Sequence, residues 1–124
     1  MNFLDKPIFF IATSNPIQSR HFYEKALDFK CLSEDDFALV FELGSTTLRI
    51  QKVDAVSKVH HTVLGWEVVD IKKCIDELLK NDVQFEKFPH LTQDDLGIWC
   101  SSSSGASIAW FRDPDGNTLS LTQL

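Results

Sequence analysis

Ile108-Ala109-Trp110-Phe111-Arg112-Asp113-Pro114-Asp115-Gly116-Asn117-Thr118-Leu119-Ser120-Leu121-Thr122 decides the fold of this 124-residue chain. Asp113 to Asn117 is turn chemistry: Pro114 presets φ, Asp115 and Asn117 can bond their own backbone, and Gly116 accepts a positive φ without steric cost. Before the turn the run is β-branched and aromatic. After it, Thr118 to Thr122 alternates with period two. The pattern predicts a β-hairpin, and the segments upstream say what kind of hairpin it is.

Working back, the restart at Thr62–Val69 predicts a strand that ends at Asp70, a helix cap. Ile71, Ile75, Leu78 and Leu79 recur at helical spacing, with Lys72, Lys73, Asp76, Glu77 and Lys80 outside. Asn81-Asp82 ends that helix, and Val83–Phe88 reads as a strand. A long segment from Pro89 to Ser107, rich in Ser and Gly, leads into the hairpin. The first half has the same order. Pro7–Thr13 is a strand, Asn15 and Pro16 open a helix with Phe22, Tyr23, Ala26 and Leu27 inside, and Phe29–Leu32, Phe37–Leu43 and Thr46–Val53 are strands. Asp54–His61 is a polar connector. The chain therefore reads as one domain over 1–124 built from two β-α-β-β-β modules, about 5–56 and about 60–124.

Composition bounds the function. An apolar share of 44%, with ten Phe and three Trp, suffices for a packed core. A net charge of −6 argues against a nucleic-acid backbone as partner, because neutralising phosphates takes a basic face. No apolar run reaches membrane-spanning length, and the N-terminal residues lack a signal-peptide plan. Cys31, Cys74 and Cys100 are odd in number and far apart, which reads as reduced, half-buried thiols of a cytoplasmic protein.

Three phrases carry a family resemblance: Asn15-Pro16-Ile17-Gln18-Ser19-Arg20-His21-Phe22-Tyr23 with Leu27-Asp28-Phe29, Gly65 to Ile71 with Leu78-Leu79, and Phe111 to Asn117. In these the chain resembles the glyoxalase, bleomycin-resistance and extradiol-dioxygenase group, the vicinal oxygen chelate superfamily. The first phrase departs at Asp28, where Gly is usual. The resemblance implies an α+β fold in which tandem βαβββ modules form a cupped, barrel-like mixed β-sheet with helices outside, and it implies a homodimer. In metal-dependent members the cup holds a divalent ion by His, Glu or Gln from the first and last strand of each module. The corresponding positions here are Ile8, Val63, Ser120 and either Arg49 or Gln51, so the inherited ligand set is missing. A shifted set of His61 and Gln51, with His60 nearby, is the alternative, although His residues ending a polar connector are ordinary solvated groups.

Strand parity then gives an expected lining: Ile8, Phe10 and Ala12; Thr47, Arg49 and Gln51; Val63, Gly65 and Glu67; Thr118, Ser120 and Thr122. Such a mixture suits a small-molecule site. Arg49 would orient an anionic or carbonyl-bearing ligand, and Glu67 would be its partner or a catalytic base. Alternatively, the two charges only neutralise each other. Trp66 and Trp110 are expected beneath the sheets, Trp99 over the site as part of a lid, and Cys100 as a buried strand residue. Two functions follow. One is a protein that holds a small, partly apolar molecule through Phe10, Arg49, Gln51, Gly65, Glu67, Trp99 and Ser120, without a cofactor. The other is a glyoxalase- or dioxygenase-like enzyme that uses a shifted divalent metal or Glu67.

Overall fold

The computed structural model describes residues 2–124 and divides into two compact units, Met1–Ser57 and Lys58–Leu124. The first unit runs β1 (Phe9–Thr13), α1 (Pro16–His21), β2 (Cys31–Glu34), β3 (Ala38–Leu43) and β4 (Thr46–Lys52). Its four strands lie in the order β1-β4-β3-β2, with β1 parallel to β4 and the rest antiparallel. The second runs β5 (Leu64–Glu67), α2 (Ile71–Lys80), β6 (Trp99–Cys100), β7 (Ser107–Arg112) and β8 (Thr118–Gln123), ordered β5-β8-β7-β6 with β5 parallel to β8. The architecture is α+β, two mixed sheets of one topology, each with its own helical segment.

Local chemistry starts both helices. Asn15 accepts a hydrogen bond from the Gln18 amide at 3.4 Å with Pro16 in the first turn, and Asp70 accepts one from the Lys73 amide at 3.1 Å. α2 then buries Ile71 and Ile75, as its spacing predicts. The first helix does not stay regular. After His21 it widens into a π-helical turn over Phe22–Ala26, closed by the Leu27 amide on the Phe22 carbonyl at 3.0 Å. That turn brings Tyr23 fully inside, 5.8 Å from the Phe41 ring. Asp28 follows with φ +59, which explains why glycine is usual at this position.

Each core lies on one sheet face. In the first unit Ile11, Leu39, Phe41, Leu48 and Ile50 are buried; in the second Leu64, Ala109, Phe111, Leu119 and Leu121 are. The hairpin turn is locked by a single carboxylate. Asp113 is buried, and its oxygens accept from the amides of Asp115 and Asn117 and from the Asn117 side chain at 2.8–3.0 Å.

Two sequence expectations need correction. Val83–Phe88 forms no strand, only a bridge between Phe85 and Phe111. The reason is local: the Phe88 amide donates to Gln93 Oε1 at 2.7 Å, and Gln93 Nε2 donates to the Glu86 carbonyl at 3.0 Å. These backbone groups are taken before a ladder can use them, and the edge strand forms later, at Trp99–Cys100. The second correction is small. The strand expected at Phe29–Leu32 begins two residues on, at Cys31.

Candidate functional site

Strand parity puts alternate residues on the sheet face away from the buried core. In the second unit, register sets Gly65, Ser120 and Trp110 in one row, with Glu67, Thr122, Ile108 and Trp99 in the next. Small residues therefore form the floor, an exposed carboxylate stands at one side and two indoles at the other. The floor is tight as well as small. A Cβ placed on Gly65 would lie 2.6 Å from Ser120 Oγ, and Ser120 is only 6% exposed.

The aromatic side is built in layers. The Trp99 and Trp110 centroids are 6.2 Å apart, Phe88 meets Trp110 edge-on at 5.5 Å, and His90 lies 5.9 Å from Phe88. Trp110 Nε1 donates to Thr62 Oγ1 at 3.1 Å, so this indole keeps its polar end satisfied and offers the rest of its surface. The Gln93 amide also donates to the Gly97 carbonyl at 2.8 Å, tying the Phe88 loop to the entrance of β6. The stretch before β5 runs past the same hairpin. The Lys58 stem covers Gly116, whose φ is +84, and the Val59 carbonyl accepts from Thr118 Oγ1 at 3.0 Å.

These positions revise the expected roles of the indoles. Trp66 does pack beneath the sheet, stacked on Phe111 at 6.3 Å. Trp110 does not; its register with Ser120 puts it on the opposite face. Trp99 belongs to a strand paired with β7, not to a loose lid, because the Gln93 clasp and two hydrogen bonds that Asp94 Oδ1 accepts from the Leu96 and Ile98 amides shape the preceding loop. Cys100 is exposed, since β6 is an edge strand, and its Sγ lies 3.5 Å from Ser107 Oγ. Sequence reasoning missed Phe88, Thr62 and Gln93. The only signal was for Gln93, in the polar character of its loop; Thr62 and Phe88 read as ordinary strand residues.

In the first unit, register sets Phe10 beside Arg49 and Ala12 beside Gln51. Phe10 is 53% exposed, Arg49 half-buried and Gln51 exposed. Asp35, whose carboxylate accepts from the Phe37 and Ala38 amides, is held below the usual carboxylate range by those two bonds, with Arg49 adding a smaller electrostatic pull. Among the described residues, neither Arg49 nor Glu67 makes an ion pair.

The donor set does not suit a divalent ion. Ile8 and Val63 offer no donor atom, Arg49 is a cation, and Ser120 supplies a neutral hydroxyl wedged against Gly65. His60 and His61 are exposed ahead of β5. Among the described residues, no three His, Cys, Asp or Glu side chains gather as a potential metal site. No helix there is long and apolar enough to cross a membrane.

Residues 7–121 match the model of the glyoxalase/bleomycin resistance protein/dioxygenase superfamily. The chain belongs to that superfamily. Solved structures of superfamily-like fold agree. A glyoxalase family protein from Enterococcus faecalis superposes with a TM-score of 0.73 at 22% identity, covering 98% of this chain and 99% of that one. The fosfomycin resistance protein FosX from Listeria monocytogenes gives 0.74 at 8% identity over 100% and 94%. TnmS3, an antibiotic binding protein from Streptomyces sp. CB03234, gives 0.67 at 18% identity over 99% and 98%. At such identities the likeness is one of fold. No curated protein matches the chain.

Proposed function

We propose that this superfamily member binds a small, partly apolar molecule against the face of the second sheet, without a metal. The observation that carries this reading is the pairing of a small-residue floor, Gly65 and Ser120, with a wall of Trp110, Trp99 and Phe88. A flat apolar ligand gains burial against the indoles, and Glu67 and Thr122 offer polar contacts at the side. In the first unit Phe10, Arg49 and Gln51 make a candidate surface of their own, where Arg49 would meet an anionic or carbonyl group. Solved structures of like fold include a fosfomycin resistance protein and an antibiotic binding protein, which fits sequestration as a role. The reading includes a cytoplasmic homodimer.

An enzymatic reading rests on Glu67, an exposed carboxylate with no ion pair among the described residues, acting as a base, or on a shifted metal at His61 and Gln51. One experiment separates the two. In W66F the remaining indoles both lie on the proposed binding face, so titration with 2-naphthol should quench emission saturably in metal-stripped protein, and Trp110→Ala should weaken binding at least tenfold. Emission that ignores the probe overturns the binding site. Stoichiometric Zn, Ni, Mn or Fe in purified protein that disappears in H61A overturns the metal-free reading.

A further inference from the structure

A second recess lies in the same unit, where the end of α2 meets the 82–96 segment. It is half open to solvent and holds about 340 Å³, at the small end of the range for ligand pockets. Leu79, Val83, Phe85 and Leu96 supply the apolar part of a lining that is otherwise polar, and Leu79 is 44% exposed. Phe85 turns towards Phe111 at 5.4 Å, whereas Phe88, three residues on, turns to Trp110 on the other face. The recess is thus separate from the aromatic wall, and nothing in the proposed ligand-binding role uses it.

Its rim is electrostatically one-sided. Asp82 and Asp95 both line it, and neither carboxylate makes a hydrogen bond or ion pair with another described residue. Asp82 follows the C-terminal end of α2, where the helix dipole adds partial negative charge. The opposing cation, Lys87, is tethered through its Nζ to the Asp94 carbonyl at 3.0 Å. Two carboxylates and a helix C-terminus outweigh one ammonium, and the apolar part of the lining favours an apolar body.

We propose that this recess binds small ammonium ions with an aromatic or branched-alkyl body, the ammonium held between Asp82 and Asp95 and the body on Leu79, Phe85 and Leu96. Binding needs no metal and no covalent step.

The test is a titration of isotopically labelled protein with phenethylammonium, read by amide chemical shifts. Saturable shifts are expected at Leu79, Val83, Phe85 and Leu96. The neutral analogue 2-phenylethanol should bind at least tenfold more weakly, and so should phenethylammonium to the double variant D82N/D95N. Asparagine tolerates the left-handed backbone of Asp82, φ +66, so the fold is kept. As a second variant, K87M should tighten binding two- to threefold by removing the competing ammonium. Equal binding of the alcohol, or full affinity in the double variant, overturns the proposal. So do shifts confined to Gly65, Trp99 and Trp110, which would place the amine on the other face and leave the aromatic site standing.

Discussion

The two units share one strand order but decorate it differently. In the first, tight connections join the strands, β3 passing to β4 through Gly44-Ser45, and the non-core side of the sheet carries Phe10, Arg49 and Gln51. In the second, eighteen residues separate α2 from β6 (80 to 99), and the corresponding side carries Trp99 and Trp110 over Gly65 and Ser120. The difference teaches where specialisation resides. Buried rows are aliphatic and aromatic packing in both units, whereas the opposite rows and the 81–98 segment are where the two units differ.

If that division is right, equivalent core deletions should cost the same in both units. Phe41→Ala and Phe111→Ala remove rings that are fully buried, and each should lower stability by about 3–5 kcal/mol in urea unfolding. A large inequality would break the equivalence of the cores. The floor should respond differently. Gly65→Ala places a methyl 2.6 Å from Ser120 Oγ and should cost about 1–3 kcal/mol while obstructing any ligand. Adding Ser120→Ala should restore part of that stability, read by a double-mutant cycle. The helices also differ. Ser19 Oγ in α1 is buried without a hydrogen-bond partner among the described residues, so Ser19→Ala should raise stability by about 1 kcal/mol in the same assay.

Much of this fold is legible because its signals are local. Asp113 and Gly116 build their turn from neighbours within four residues, Asp70 caps its own helix, and the alternation of Thr46 to Lys52 needs only one buried face. What could not be read depends on partners distant in sequence or on competition. The 83–88 run has strand character, but Gln93 captures its backbone groups. Trp110 faces away from the core because of its register with Ser120, and no property of the residue itself reveals that. The π-helical turn at Phe22 has no local signature either; within it Tyr23 packs 5.8 Å from the distant Phe41 ring. For the candidate site, parity was enough to group Gly65, Glu67 and Ser120, while the aromatic wall needed three-dimensional pairing.

The smallest effect concerns how the units hold their sheet edges. β6 is lined by Trp99 against Trp110, which has no charge to titrate. β2 is held by Glu34, which accepts from Arg20 of α1 at 2.8 Å and from Lys52 of β4 at 2.9 Å. The hydrogen bonds from Lys52 and then Arg20 lower the Glu34 carboxyl below its ordinary range. A carboxylate depressed in the folded state adds stability that is complete above its unfolded pKa, about 4.3, and is lost as pH falls through the folded value. Partly exposed pairs of this kind contribute about 1 kcal/mol or less, and salt screens them. Glu34→Gln should therefore remove a small stability increment at neutral pH and flatten the decline below pH of about 4.3, with no change once the wild-type carboxyl is protonated. Chemical unfolding of both proteins from pH 7 down to 3 measures this. Parallel curves at every pH would show that the charges at β2 are ornamental and that the two edges are held by the same apolar means.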